Sequence, residues 1–117
     1  MRTLAIADAL ELDDAATLKL RDRLAKFEEQ RAPIQSQLFE QTLVLRRAAK
    51  GDTTAYAQVD GAIQKVLALR GQIEQMDRDL FAELSAGLPP QKKARLALAM
   101  ARLPQQMREM AQEKGHR

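Results

Sequence analysis

The chain has 117 residues, of which 45% are hydrophobic and 30% are charged, and it contains no Cys, no Trp, three Phe and one Tyr. A chain of this length fits a single domain, and so few bulky aromatic side chains exclude a thick core. Ala and Leu supply 37 residues, which favours long helices and nearly excludes a β-sandwich or barrel. Without Cys, disulfides, thiol nucleophiles and Cys-ligated metals are excluded, and no apolar run is long enough to span a bilayer.

The net charge of +3 belongs to the C-terminal part of the chain. Residues 1–87 hold 12 Lys and Arg against 14 Asp and Glu, whereas residues 88–117 hold 7 against 2. This basic segment contains no aromatic residue on which a base could stack, and its excess charge is small. We therefore expect no nucleic-acid partner.

The first predicted elements are a short helix over residues 4–10 and a long helix over about residues 14–50. Asp13 suits the N-cap of the long helix, and Gly51 offers the left-handed conformation that commonly ends one. Pro33 lies inside the long helix and predicts a bend rather than a break. One stripe of this helix, mostly apolar, repeats at spacings of three and four residues. It comprises Leu20, Leu24, Phe27, Arg31, Ile34, Leu38, Gln41, Leu45 and Ala48.

A second long helix is predicted over about residues 53–86, with an N-cap supplied by the run from Asp52 to Thr54. Its stripe comprises Val59, Ile63, Val66, Arg70, Ile73, Asp77, Leu80 and Leu84. Because the connection to the first long helix is very short, the two helices are predicted to form an antiparallel hairpin. The fold class is therefore all-α, with residues 1–117 as one helical-hairpin domain.

Polar residues interrupt the predicted seam between the two long helices near its middle. They are Arg31, Gln41, Arg70 and Asp77. Arg31 lies about one turn from the level of Asp77, which is close enough for a diagonal ion pair. Two interpretations remain open: these residues set the register of a narrow seam, or they face a dimer cleft or a ligand.

A third helix is predicted over about residues 90–111, followed by a tail over residues 112–117. Gly87 and Pro90 form the second hinge, as Gly51 forms the first, and Pro90 suits the first helical position. The third helix carries a stripe of Leu96, Met100, Leu103, Met107 and Met110, flanked by Arg95 and Arg102. The stripe either packs against the hairpin as core or binds a partner helix or an unfolded client.

Residues with catalytic chemistry are sparse. The single His, His116, lies two residues from the end, and neither Ser36 nor Ser85 has a His within the same helical turn. The sequence contains no Gly-rich phosphate loop, nucleophile elbow or zinc-spacing motif, and its carboxylates have the spacing of solvated helix faces. We therefore predict no enzymatic activity, no catalytic residue and no cofactor.

The second hinge resembles a signature of a bacterial envelope family. In residues 81–96, seven positions match the pattern Glu-Leu-x-x-x-Leu-Thr-Pro-x-x-x-Ala-Arg-Leu: Glu83, Leu84, Leu88, Pro90, Ala94, Arg95 and Leu96. Pro89 replaces the Thr, and Lys92 replaces a Gln that the family's shorter motif, Leu-Thr-x-x-Gln, carries. A first copy of the shorter motif starts at Leu12, with Asp13 in place of Thr. The chain, over roughly residues 10–110, is similar to the Spy/CpxP-like periplasmic stress proteins and their heavy-metal resistance and sensor relatives.

This resemblance implies a curved helical hairpin that dimerises into a cradle. It implies a periplasmic, ATP-independent chaperone or a stress or metal sensor, with a second copy, unfolded or envelope proteins, or a regulatory protein as partners. The metal-responsive members use His-rich sites, and this chain has no His before His116, so we expect no metal-ligating residue. Because family members are exported or tethered, we also expect a signal or tether that precedes Met1 in a longer precursor.

Two alternatives remain beside a non-catalytic envelope binding protein. A sensor proper would bind nickel, cobalt or zinc, which calorimetry on the tag-free chain would detect. A cytosolic helical module that binds a regulatory or signalling protein is the second alternative, and an export signal in the complete gene would exclude it.

Overall fold

The computed structural model describes residues 2–101. These residues are all-helical and contain no strand, which confirms the predicted fold class for this part of the chain. The elements are α1 (Arg2–Leu10), α2 (Asp14–Ala49), a 3-10 helix (Thr53–Gln58) and α3 (Val59–Ser85). A fourth helix, α4, begins at residue 90 and continues to the last described residue, 101.

The start and the end of α2 follow from local chemistry. Asp13 accepts a hydrogen bond from the backbone N–H of Ala16 at 2.8 Å, which satisfies one of the unpaired donors of the first turn. The helix continues without a break through Pro33. It ends before Gly51, whose φ of +97° is the left-handed conformation that glycine adopts without strain.

The connection to α3 differs from the expectation of a continuous α-helix from residue 53. Asp52 caps the connection by accepting from the backbone N–H of Thr54 at 3.0 Å. Hydrogen bonds from Thr54 lower the pKa of Asp52. The backbone N–H of Ala55 donates to the carbonyl of Asp52 at 3.1 Å, a bond across three residues that winds Thr53–Gln58 as a 3-10 helix. The α-helix itself starts only at Val59.

A second sharp turn separates α3 from α4. The α-helix ends at Ser85, and Gly87 has a φ of +75°. Pro90 occupies the first position of α4, where its missing N–H is not needed. The backbone N–H of Lys93 donates to the carbonyl of Pro89 at 3.0 Å and closes the first turn of the helix.

The chain divides into two compact units, and the division falls inside α2 and α3. We call Lys26–Leu80 the turn unit. We call the remainder the terminal unit; its described residues are 2–25 and 81–101. The buried apolar side chains of the terminal unit come from α1, the start of α2 and α4; they are Ile6, Ala7, Leu10, Leu20, Leu24 and Leu96. The end of α3 adds one buried polar residue, Ser85.

The buried residues of the turn unit lie mostly on α3 and the 3-10 helix. They are Phe27, Ala55, Ala62, Val66, Leu69 and Leu80, and no residue between 28 and 54 is buried. On α2, all nine positions of the predicted stripe are buried or half-buried, as predicted. On α3, the predicted seam positions Ile63 and Arg70 are instead exposed, and Ala62 and Leu69 are buried in their place.

This correction has a simple cause. In an α-helix, residues three and four apart both lie on one face, so two stripes offset by one residue satisfy the same spacing rule. The predicted stripe contains Ile63, whereas the helix buries the neighbouring Ala62. Within the described residues, no helix is both long enough and apolar enough to cross a membrane.

Candidate functional site

The predicted partner-binding stripe begins on α4. Leu96 has 0% of its surface exposed, and Met100 is half-buried. Arg95 donates from Nη1 to Oε1 of Glu11 at 2.9 Å. The other predicted members, Arg102, Leu103, Met107 and Met110, lie outside the described residues. Leu96 is therefore part of the core of the terminal unit, and the stripe as a binding surface stays a prediction.

A second ion pair of the terminal unit joins α2 to α3. Arg23 donates from Nε and Nη2 to the carboxylate of Glu83, and the Nη2–Oε1 distance is 3.0 Å. The hydrogen bond raises the pKa of Arg23 and lowers the pKa of Glu83. Both side chains are partly exposed to solvent, so the pair adds geometric definition rather than much stability.

The mid-seam charges of the turn unit include the predicted ion pair. Arg31 Nη2 lies 3.7 Å from Asp77 Oδ2, which confirms the diagonal pairing of these two residues. The guanidinium of Arg31 also lies 5.9 Å from the centre of the Phe27 ring. Arg31 Nε and Asp77 Oδ1 are buried and have no hydrogen-bond partner among the described residues. The desolvation of these two atoms is therefore not fully compensated by hydrogen bonds. A buried ion pair of this kind is typical of a contact that specifies register.

Large apolar side chains of the turn unit are exposed on both of its long helices. On α3, Ile63 is 43% exposed and Leu67 is 62% exposed. On α2, Phe39 is 60% exposed, and Tyr56 on the 3-10 helix is 52% exposed. We call these four residues the apolar face.

The dense apolar segments around the apolar face explain why part of it is not covered. Residues 38–45 contain five large apolar side chains, and residues 66–69 are all apolar. Each segment is apolar on more than one side, so a single partner helix covers only part of it. A helix that is apolar on all sides is normally buried on all sides. Such segments therefore keep apolar surface that a further element can cover.

Two charged residues flank the apolar face on α3. Asp60 precedes Ile63 by three residues, and Arg70 follows Leu67 by three residues. Both are exposed, and neither forms an ion pair or a side-chain hydrogen bond with another described residue. They are therefore available to a charged partner.

Sequence reasoning did not identify the apolar face. Phe39, Tyr56 and Leu67 lie off the predicted stripes, and Ile63 was assigned to the seam. The available signal was the surplus of large apolar residues beside each stripe, as in Leu38-Phe39 and Val66-Leu67. A stripe of one side chain per turn cannot use both members of such a pair.

Within residues 2–101, no group of three or more His, Cys, Asp or Glu side chains is arranged to hold a metal ion. Comparison with protein-family models, with curated proteins and with solved structures found no match to this chain. The site is therefore interpreted from its own residues.

Proposed function

We propose that the chain is a non-catalytic binding protein that acts through apolar helix faces of a dimer. The observation that carries this proposal is the exposure of large apolar side chains on regular helices, above all Phe39 and Leu67 at 60% and 62%. Exposed apolar surface marks binding sites in soluble proteins where such side chains lie next to one another. The resemblance of residues 81–96 to the Spy/CpxP-like signature supports an envelope-stress or heavy-metal-resistance role, as a periplasmic chaperone or sensor-like protein.

The proposal includes an antiparallel hairpin over the turn unit, Lys26–Leu80. The Arg31–Asp77 ion pair supports it, because it joins α2 to α3 far from the connection at Gly51. Counting eight residues forward from Arg31 reaches Phe39, and counting eight back from Asp77 reaches Leu69. In this register Phe39 lies at the level of Leu67, within one helical turn.

The same hairpin gathers the apolar face on one side. Phe39 directly follows the seam residue Leu38, and Ile63 and Leu67 directly follow the buried Ala62 and Val66. A step of one residue turns an α-helix by about 100°. In an antiparallel pair, the same rotation on each helix points to the same side of the pair. Phe39, Ile63 and Leu67 would then point to the same side of the pair.

We assign client binding to the predicted third helix, which begins as α4 at residue 90. In its sequence, Arg95 and Arg102 flank the Met-rich stripe. The full chain should suppress aggregation of a chemically denatured client at stoichiometric amounts. Met100→Lys together with Met107→Lys should abolish the suppression, because two ammonium groups on the stripe oppose apolar contact. Ala97→Lys with Ala101→Lys is the matched control, since both alanines are exposed and off the stripe.

Two outcomes would contradict this assignment. If the Met double variant suppresses aggregation as well as the parent, the stripe is not the client surface. If the parent itself fails with several clients, the chaperone form of the proposal is wrong.

A further inference from the structure

We propose that the apolar face of the turn unit docks against the same face of a second copy, with the two α3 helices antiparallel across a two-fold axis near residue 65. The inference rests on the proposed function only for the existence of a dimer. The surface, the orientation and the contacting residues are new.

The exposed stripe on α3 is symmetric about residue 65. Asp60, Ile63, Leu67 and Arg70 follow one another at spacings of three, four and three residues. Asp60 and Arg70 therefore lie at equal distances from residue 65, on opposite sides and with opposite charge. When such a helix packs antiparallel against its own copy, each Asp60 faces an Arg70 and each Ile63 faces a Leu67. A two-fold interface requires this self-complementarity.

The two charges at the ends of this stripe also lack partners within residues 2–101. Among the described residues, Asp60 and Arg70 form no ion pair, whereas Arg23, Arg31 and Arg95 do. Two symmetric Asp60–Arg70 pairs would border the apolar centre of the interface. Charged residues at such a rim fix register and orientation.

The same two-fold axis also crosses α2. In the register set by Arg31 and Asp77, residue 65 of α3 lies at the level of Leu43, so Leu43 faces Leu43 of the second copy. Phe39 lies one turn from Leu43, at the level of Arg47 of the second copy. Leu43 is half-buried and Phe39 is exposed. The axis that pairs α3 with its copy therefore also brings one apolar residue of α2, Leu43, against its own copy.

The exposed area approaches the area that a stable dimer buries. Large apolar and aromatic side chains expose roughly 100 Å² each when about half accessible, so the four residues of the face contribute roughly 400 Å² per chain. Two chains then bury roughly 800 Å² of apolar surface, and the charged rim raises the total toward the roughly 1,200 Å² of a stable interface.

Sedimentation of the full chain from about 1 to about 200 μM tests the surface. We expect a monomer–dimer equilibrium in this range. Leu67→Glu should leave only monomer, because it places a carboxylate in the apolar centre of both halves. Leu98→Glu is the matched control, since Leu98 is 61% exposed on α4 and Leu67 is 62% exposed. Unchanged helix content by circular dichroism shows that each variant is folded.

Charge exchange tests the orientation. Asp60→Arg or Arg70→Asp alone should raise the dimer Kd about tenfold, because each change creates two like-charge contacts. The double variant Asp60→Arg with Arg70→Asp should restore the Kd to within about threefold of the parent, because the pairs re-form with reversed polarity.

The outcomes separate the inference from the proposed function. A dimer that neither Leu67→Glu nor the charge variants weaken overturns the inference, while the dimer of the proposed function stands. A dimer that Leu67→Glu abolishes but the double charge variant does not restore overturns the antiparallel arrangement. A chain that stays monomeric at the highest concentration contradicts both.

Discussion

The terminal unit and the turn unit are built from the same two long helices but bury their apolar residues differently. In the terminal unit, α1, the start of α2 and α4 supply buried apolar side chains, and Ile6 and Leu96 are each 0% exposed. In the turn unit, no residue between 28 and 54 is buried, while Phe39 and Leu67 are largely exposed. Two helices alone enclose one narrow seam, so apolar residues on their flanks need a further layer.

The comparison shows that apolar side chains in the two units contribute differently to the free energy of unfolding. A side chain that is enclosed on all sides contributes its full transfer free energy, whereas a half-covered one contributes only part until a partner binds. The terminal unit therefore supplies its own core, and the turn unit leaves Phe39 and Leu67 largely exposed, which we propose serves association with a second copy.

Leu96→Ala should lower the free energy of unfolding by about 3 kcal/mol, because it opens a cavity at a fully buried position of the terminal unit. Leu98→Ala, on the exposed side of α4, should lower it by less than about 0.5 kcal/mol. Urea unfolding at a protein concentration that keeps the chain monomeric measures both values. Equal losses at the two positions would contradict the core assigned to the terminal unit.

The mid-seam pair of the turn unit should behave differently from a core contact. Removing one partner by Asp77→Ala should destabilise the chain by about 1–2 kcal/mol, because it leaves the largely buried Arg31 without its counter-charge. Replacing both, Arg31→Met with Asp77→Leu, should be neutral or stabilising by about 1 kcal/mol. A double-mutant cycle measures the coupling, and a strongly destabilised double variant would show that the pair contributes net stability.

The glycines of the turn unit should respond with opposite signs. Gly51→Ala should cost about 1 kcal/mol, because φ at this position is +97°. Gly71→Ala should stabilise by about 0.5–1 kcal/mol, because Gly71 lies inside α3 and a Cβ there meets nothing within 4 Å. Thermal unfolding of the two variants resolves the sign, and a stabilising Gly51→Ala would contradict the turn geometry.

The smallest effect concerns pH and the terminal unit. The pKa of Glu83 is lowered by Arg23, so this contact stabilises the fold above the ordinary pKa of a glutamate. Its contribution is lost as the pH falls through the lowered pKa. Because both groups are partly exposed, the loss should be a few tenths of a kcal/mol. Glu83→Gln should remove this component of the pH dependence, and identical acid profiles for parent and variant would contradict it.

Much of the backbone was predictable from local chemistry. Asp13 and Gly51 mark the ends of α2 because capping and left-handed turns depend on few neighbouring residues. The long stripe of α2 was equally predictable, because nine positions at spacings of three and four residues lie on one helical face.

The errors share a different origin. The choice between Ile63 and Ala62 depends on the partner helix, since spacing alone permits both. The 3-10 helix at Thr53–Gln58 depends on which backbone bonds form after the Asp52 cap. The exposure of Phe39 and Leu67 depends on how many helices pack at that level. A local sequence pattern does not predict this number.

Concentration-dependent hydrogen exchange tests the central claim most directly. If the terminal unit supplies its own core and the turn unit is completed by a second copy, amides of residues 59–74 should become more protected as protein concentration rises through the dimer Kd. Amides of α1 and the described part of α4 should gain less protection over the same range, and only where they exchange through global unfolding, which dimerisation also makes rarer. Protection in residues 59–74 that does not change with concentration would contradict the claim.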